Sequence, residues 1–317
     1  MACDTTRALH ADGCPDLFPT KVFMELNLET VTGPPRPAAT VIMLRDGIGG
    51  DQGLEVFLIR RHAKSNVLGG VFVFPGGKVD KLDAELDMAA HIDRPLAELH
   101  AALNEADIDQ LTAAGLYIAA MREVFEESGI LFAEGATHEH AECATAMLRQ
   151  GKAFDAVLAE MTLRLQTSSL APWSRWITPA APSVMNKRFD TRFFVAAVPP
   201  GQVAAHDNFE ATESVWLKPR TALEQHRDGL IEMAPPQIMT LAHLSRFASV
   251  QAAMAEARRR MPPIIEPHPM DVDGVRVICY PGDAQHPVKE RAMPGPTRLR
   301  YRNKLFEPVD GFEALFG

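Results

Sequence analysis

The run Arg122-Glu123-Val124-Phe125-Glu126-Glu127-Ser128-Gly129-Ile130 puts three carboxylates within five residues. On an α-helix, at about 100° per residue, Glu123, Glu126 and Glu127 share one arc while Ile118, Met121, Val124 and Phe125 lie opposite. The apolar side would pack on a sheet and hold the acids toward a cleft, and Gly129 stands where a left-handed C-cap belongs. Glu123 and Glu127 are an i,i+4 like-charge pair, which costs roughly a few tenths of a kcal/mol even when solvated. Arg122 is the only cation on that turn, so a further positive charge is called for. A hard divalent ion such as Mg²⁺ takes oxygen ligands and keeps waters that bridge to phosphate. The commoner fate of an acidic run is a solvated helix face, and the three glutamates alone leave the two readings balanced.

A second segment shifts that balance. Phe74-Pro75-Gly76-Gly77-Lys78-Val79-Asp80 reads as a strand end running into a tight loop whose bare backbone can approach an ion or a phosphate. Together the two segments resemble the Nudix hydrolase box, Gly-x5-Glu-x7-Arg-Glu-U-x-Glu-Glu-x-Gly-U, where U is a bulky aliphatic residue. The second half matches at every specified position from Arg122 to Ile130, after the typical Ala119-Ala120. Gly77 and Arg122 stand 45 positions apart (122 − 77), where the compact box needs 14, so about 31 residues are inserted. Asp83 stands six after Gly77 and Ala114 eight before Arg122, so the box's early glutamate reads as absent or relocated.

A box split in this way is similar to the Nudix motif 19 type, the branch of the peroxisomal coenzyme A diphosphatases. The segments 57–77, 188–194, 213–219 and Ala234-Pro235-Pro236-Gln237 extend the likeness over roughly residues 36–245. The resemblance implies Mg²⁺ or Mn²⁺ held by Glu123, Glu126, Glu127 and the Gly76 carbonyl, with Arg122 orienting the glutamates. For the general base, Glu123 competes with a downstream loop acid, Glu210 or Glu213. Arg60, Arg61, His62 and Lys64 form a basic turn suited to phosphate, and Gly77 joins Arg60, Arg61 and Lys64 as a substrate-binding position. The implied reaction is hydrolysis of the diphosphate bond of a nucleoside diphosphate derivative, coenzyme A or an acyl-coenzyme A. The coenzyme A signature has Arg where Asn66 stands, which keeps ADP-ribose and an NADH-type dinucleotide open as substrates. A non-catalytic nucleotide-sensing module is the rival from another class.

The rest of the chain must position these groups. Its 317 residues are 46% hydrophobic and 23% charged, with a net charge of −9. That composition is globular, and the acidic balance argues against nucleic acid as a partner. No apolar run is long enough to span a membrane, and the N-terminus lacks the pattern of a secretory signal. Cys3, Cys14, Cys143 and Cys279 are widely spaced, as expected of unpaired thiols in the cytoplasm. Strands are expected at 38–44, 54–60, 71–74, 176–178, 192–198, 213–218, 275–280 and 299–306. Helices are expected at 115–128, 141–165 with a joint at Gly151, 221–227 and 236–260. This is an α/β pattern, and by the resemblance an α/β/α sandwich with a mixed sheet. An N-terminal arm (1–35) leads into a catalytic domain (36–249) with a helical insertion (81–116), and a C-terminal extension (250–317) packs on the core. A homodimer is the default assembly. Trp173, Trp176 and Trp216 read as core residues, Lys187, Arg188 and Arg192 as a weaker phosphate-facing group, and Arg258–Arg260 as a helix-end charge bias.

Overall fold

The computed structural model describes residues 26–317 except 28, 48–52, 64, 66–67, 182–185 and 208–209. Cys3, Cys14, Lys64, Asn66 and most of the 1–35 arm therefore lie outside the described residues.

The apolar run that opens the sheet is β1 (Arg36–Asp46), in which Val41, Ile42, Met43 and Leu44 are all buried. Consecutive buried residues on a strand mean cover on both faces. β1 pairs antiparallel with β2 (Leu54–Arg61), which pairs with β3 (Phe72–Val73), and antiparallel with the short β4 (Gly76–Lys78). Four helices follow: α1 (Lys81–Glu85), α2 (Met88–His91), α3 (Leu96–Leu103) and the long α4 (Gln110–Ser128). After α5 (His138–Arg149) and α6 (Phe154–Glu160), jointed at Gly151 in the left-handed region, come β5 (Leu170–Ile177) and β6 (Phe189–Ala197). β6 lies parallel to β1 and antiparallel to β5, so the sheet is mixed. β7 (Ala211–Leu217) pairs antiparallel with β2.

Register shows which helix covers which face. Met43 and Val41 of β1 stand opposite Ala196 and Phe194 of β6, and Phe194 meets Tyr117 of α4 at 4.7 Å between ring centroids. The preceding residue, Phe193, points the other way, to Phe74 and Trp176. That second face is covered by α8 (Pro235–Leu244), which follows α7 (Pro219–Arg227) and sets His243 on Trp173 at 4.6 Å. α9 (Val250–Arg259) packs on β1, β5 and β6, and β8 (Ile264–Ile265) adds a strand parallel to β5. The chain then forms a separate antiparallel sheet from β9 (His268–Val272), β10 (Val275–Cys279), β11 (Arg298–Arg302) and β12 (Leu305–Pro308).

Several boundaries differ from the sequence reading, each for a local reason. α4 starts at Gln110 rather than 115 because Asp109 caps it, accepting from the Thr112 N–H at 2.7 Å. The expected single helix over 236–260 is two, since Ser249 caps α9 by accepting from the Ala252 N–H. The segment 81–103 packs against α4, where Gly115 admits α1: a Cβ there would lie 3.2 Å from the Ala84 methyl. Beyond α3, buried Glu105 pairs with Arg192 and Arg175 and ties this region to β6 and β5. Among the described residues, Cys143 and Cys279 are unpaired and no helix is long and apolar enough to cross a membrane.

Candidate active site

The last turns of α4 carry the acids. Gly129 ends the helix at φ 70° and its N–H bonds to the Phe125 carbonyl, so Glu123, Glu126 and Glu127 sit on a defined final turn. Arg122 uses all five of its donors. It donates to both oxygens of Asp83 (2.8 and 2.9 Å), to Glu123 (2.9 Å), to Glu126 (3.2 Å) and to the Lys78 carbonyl (3.1 Å). Burial opposes the arginine's charge, but the Asp83 hydrogen bonds and the attraction of Glu123, Asp83 and Glu126 outweigh it and raise its pKa. The box's early glutamate is absent, and Asp83, buried on α1, takes its place against Arg122.

The Gly76-Gly77 loop meets these acids. Its Gly76 N–H donates to Glu127 at 2.8 Å. A Cβ on Gly76 would collide with the Ala39 carbonyl and Thr40, and one on Gly77 would collide with the Glu123 carboxylate. Only glycine lets the backbone lie this close to the acids. Burial pushes Glu127 up to about 8, against the Gly76 hydrogen bond and Arg61, with Glu123 and Glu210 adding repulsion. Burial likewise pushes Glu123 up to about 7 and raises Glu126.

A cleft of about 700 Å³ opens beside this loop, lined by Gly76, Gly77, Glu123, Arg61 and Glu210 among others. Arg61 reaches Glu127 at 3.7 Å and Glu210 at 3.5 Å. The His62 N–H donates to the Glu210 carbonyl and keeps that acid beside the strand end. Arg60 and Glu213 are not part of this grouping. The pairing of β2 with β7 shifts register between Arg60 and Arg61, and Arg60 turns instead to Glu213 at 3.6 Å. Lys187 lines the cleft, whereas Arg188 bonds the Gly33 and Thr178 carbonyls and Arg192 is buried on Glu105. Trp216 packs on Phe57 beneath Arg45, and Arg260 lies over Trp173, so the helix-end arginine also packs. Gln237, absent from the expected site residues, lines the cleft as well. Its signal was the Ala234–Gln237 segment.

Among the described residues, no three acid, histidine or cysteine side chains are placed so that together they could hold a metal ion. Glu123 and Glu126 each turn an oxygen to Arg122, and Glu127 turns one to Gly76. The donor chemistry nevertheless fits a hard cation. Carboxylates and a bare glycine loop converge, and the desolvation that raises Glu123 and Glu127 is what a divalent charge would offset.

The comparisons agree with this geometry. The model of the NUDT19 Nudix domain matches residues 35–244. The acyl-coenzyme A diphosphatase NUDT19 of Xenopus laevis is 28% identical over 276 residues, covering 74% of this chain and 71% of the relative. That of Homo sapiens is 25% identical over 298 residues, covering 80% and 75%. The crystal structure of a Nudix hydrolase from Alicyclobacillus acidocaldarius shares the fold at a TM-score of 0.54 and 27% identity, covering 72% of this chain and 97% of that one. A split box whose arginine is locked by Asp83, inside a family match that spans about two thirds of the chain, identifies it as a Nudix hydrolase belonging to the NUDT19 Nudix domain family.

Proposed function

We propose that the protein hydrolyses the diphosphate bond of coenzyme A or an acyl-coenzyme A with the help of Mg²⁺ or Mn²⁺. The observation that carries this reading is the approach of Glu123 and Glu127 to the Gly76-Gly77 loop, with Glu126 on the same turn and Arg122 saturated by five hydrogen bonds behind them. The substrate class is supported by the relatives named acyl-coenzyme A diphosphatase. Glu123, Glu126, Glu127 and the Gly76 carbonyl would hold the ion. When bound, it would neutralise the diphosphate and acidify a water.

The protein's own groups do the rest. Arg122 fixes the carboxylate orientations without facing substrate, since none of its donors is spare. Arg61, at the cleft wall between Glu127 and Glu210, offers a guanidinium to a phosphate oxygen. Glu210 is exposed and lines the cleft, which favours it over Glu213 for taking the proton of the attacking water. Glu123, held by Arg122 against Gly77, suits a ligand better than a base.

The test is a substrate panel of coenzyme A, acyl-coenzyme A, ADP-ribose and NADH with Mg²⁺ or Mn²⁺, read by mass spectrometry. The expected products are 3′,5′-ADP and 4′-phosphopantetheine or its acyl form. AMP from ADP-ribose or NADH, with coenzyme A untouched, would move the assignment to the other substrates. Glu127→Gln should abolish most turnover, and undiminished turnover would remove the metal assignment.

A further inference from the structure

The cleft extends far past the acids. Its floor is made of two neighbouring rows of register partners, two residues apart, that cross the sheet. Gly76 of β4 stands opposite Thr40 of β1, Thr40 opposite Phe193 of β6, and Trp176 of β5 lies between Thr191 of β6 and Ile265 of β8. From β4 to β8 is four strand spacings, about 19 Å. The character changes along those rows. At β4 it is carboxylate, glycine and arginine. At β6 and β5 it is Phe193 and Trp176, walled by Pro267, Pro269 and Ile278 of the C-terminal extension, with Thr178, Lys187 and Thr191 also on the lining. A ligand filling this cleft carries its diphosphate at one end and continues into an apolar arm.

A polar group interrupts the apolar wall. Gln237, in the first turn of α8, lines the cleft and is only 7% exposed. Its Oε1 is buried without a hydrogen-bond partner. Buried amides are normally paired, and one left open beside a cleft points to a ligand that pairs it.

We propose that Gln237 and the wall formed by Trp176, Phe193, Pro267, Pro269 and Ile278 are the subsite for the amide-bearing arm and acyl chain of the substrate. This rests on the coenzyme A reading above. An amide of the pantetheine arm offers an N–H, the complement of the open Gln237 Oε1. The apolar wall beyond it suits the acyl chain. The C-terminal extension thereby becomes a determinant of substrate choice.

The experiment measures kcat/KM for coenzyme A, octanoyl-coenzyme A and palmitoyl-coenzyme A, together with inhibition by 3′,5′-ADP, which has no arm. Gln237→Leu should lower kcat/KM on all three substrates about tenfold more than it weakens 3′,5′-ADP. It should not lower the melting temperature, because the lost Oε1 has no hydrogen-bond partner in the free protein. Ile278→Trp, which fills the far end, should reduce the preference for palmitoyl-coenzyme A over coenzyme A about tenfold. Equal losses on arm-bearing and armless ligands, or an unchanged chain-length preference in Ile278→Trp, would overturn the subsite. Failure of the wild type to cleave any coenzyme A would instead overturn the substrate reading, and the subsite with it.

Discussion

Arg122 shows how a single residue sets the geometry of this site. A guanidinium with five N–H donors can be held in one orientation only if every donor is met, and here acids and a carbonyl on three sides meet them. The two-point contact with Asp83 is the most buried of these, with the side chains 10% and 3% exposed. Removing one charge from such a pair leaves the other desolvated and unpaired. Asp83→Asn should therefore cost about 3–5 kcal/mol in urea unfolding, whereas a solvated acid would cost almost nothing. Aspartate suffices where the box has glutamate because α1 lies close to α4, Gly115 having no Cβ to hold Ala84 away. The Arg-Glu-Val-Phe-Glu-Glu-Ser-Gly run was legible because every spacing in it is set by one helix. Asp83 was at the right count from Gly77, but its partner is 39 residues on, and no local pattern reports such a distance.

Elements obey the same division between local and distant information. Strands β1 and β2 and the end of α4 follow from apolar runs and a glycine cap. The separation of Glu210 from Glu213 does not, because it depends on a register shift between β2 and β7 that no residue type announces. The break between α8 and α9 did have a local sign, the Ser249 cap, hidden in a stretch of otherwise good helix formers. α8 carries a consequence of where it lies. Burial pushes His243 down to about 3, and Arg260 and Arg246 add to the effect, with Trp173 and Phe247 as ring neighbours. The unfolded histidine titrates near 6.5. Between pH 6.5 and about 3 the unfolded chain binds a proton that the folded chain refuses, so this contribution is intact above pH 6.5 and is lost as pH falls. His243→Phe, which keeps a ring there and removes the titration, should melt progressively higher than the wild type as pH is lowered from 6.5 to 4. A constant difference across that range would show that the histidine is not held neutral by α8.

At the scale of the whole molecule, the net charge of −9 says little until its position is known. Carboxylates gather at one end of the cleft, beside Arg61, and the far end is apolar and built partly from the C-terminal extension. That arrangement requires the extension to be part of the same folding unit as the sheet. Its Ile278, Tyr280, Leu299, Phe306 and Leu315 join the one buried cluster that contains β1, β6 and α4, and Tyr280 meets Trp176 edge-on. Phe306 is 1% exposed, packs on Tyr301, and its carbonyl is bonded to His226 of α7. Phe306→Ala should cost about 3–5 kcal/mol, a large share of a typical domain's stability of about 5–15 kcal/mol. The three tryptophans locate the loss, since Trp173 and Trp176 lie on β5 and Trp216 on β7, all in the main sheet. If the extension and the sheet unfold together, the mutation moves the tryptophan-fluorescence transition and the circular-dichroism transition to the same lower urea midpoint. If the extension were an independent appendage, the tryptophan transition would stay where it is and the dichroism would show an earlier step.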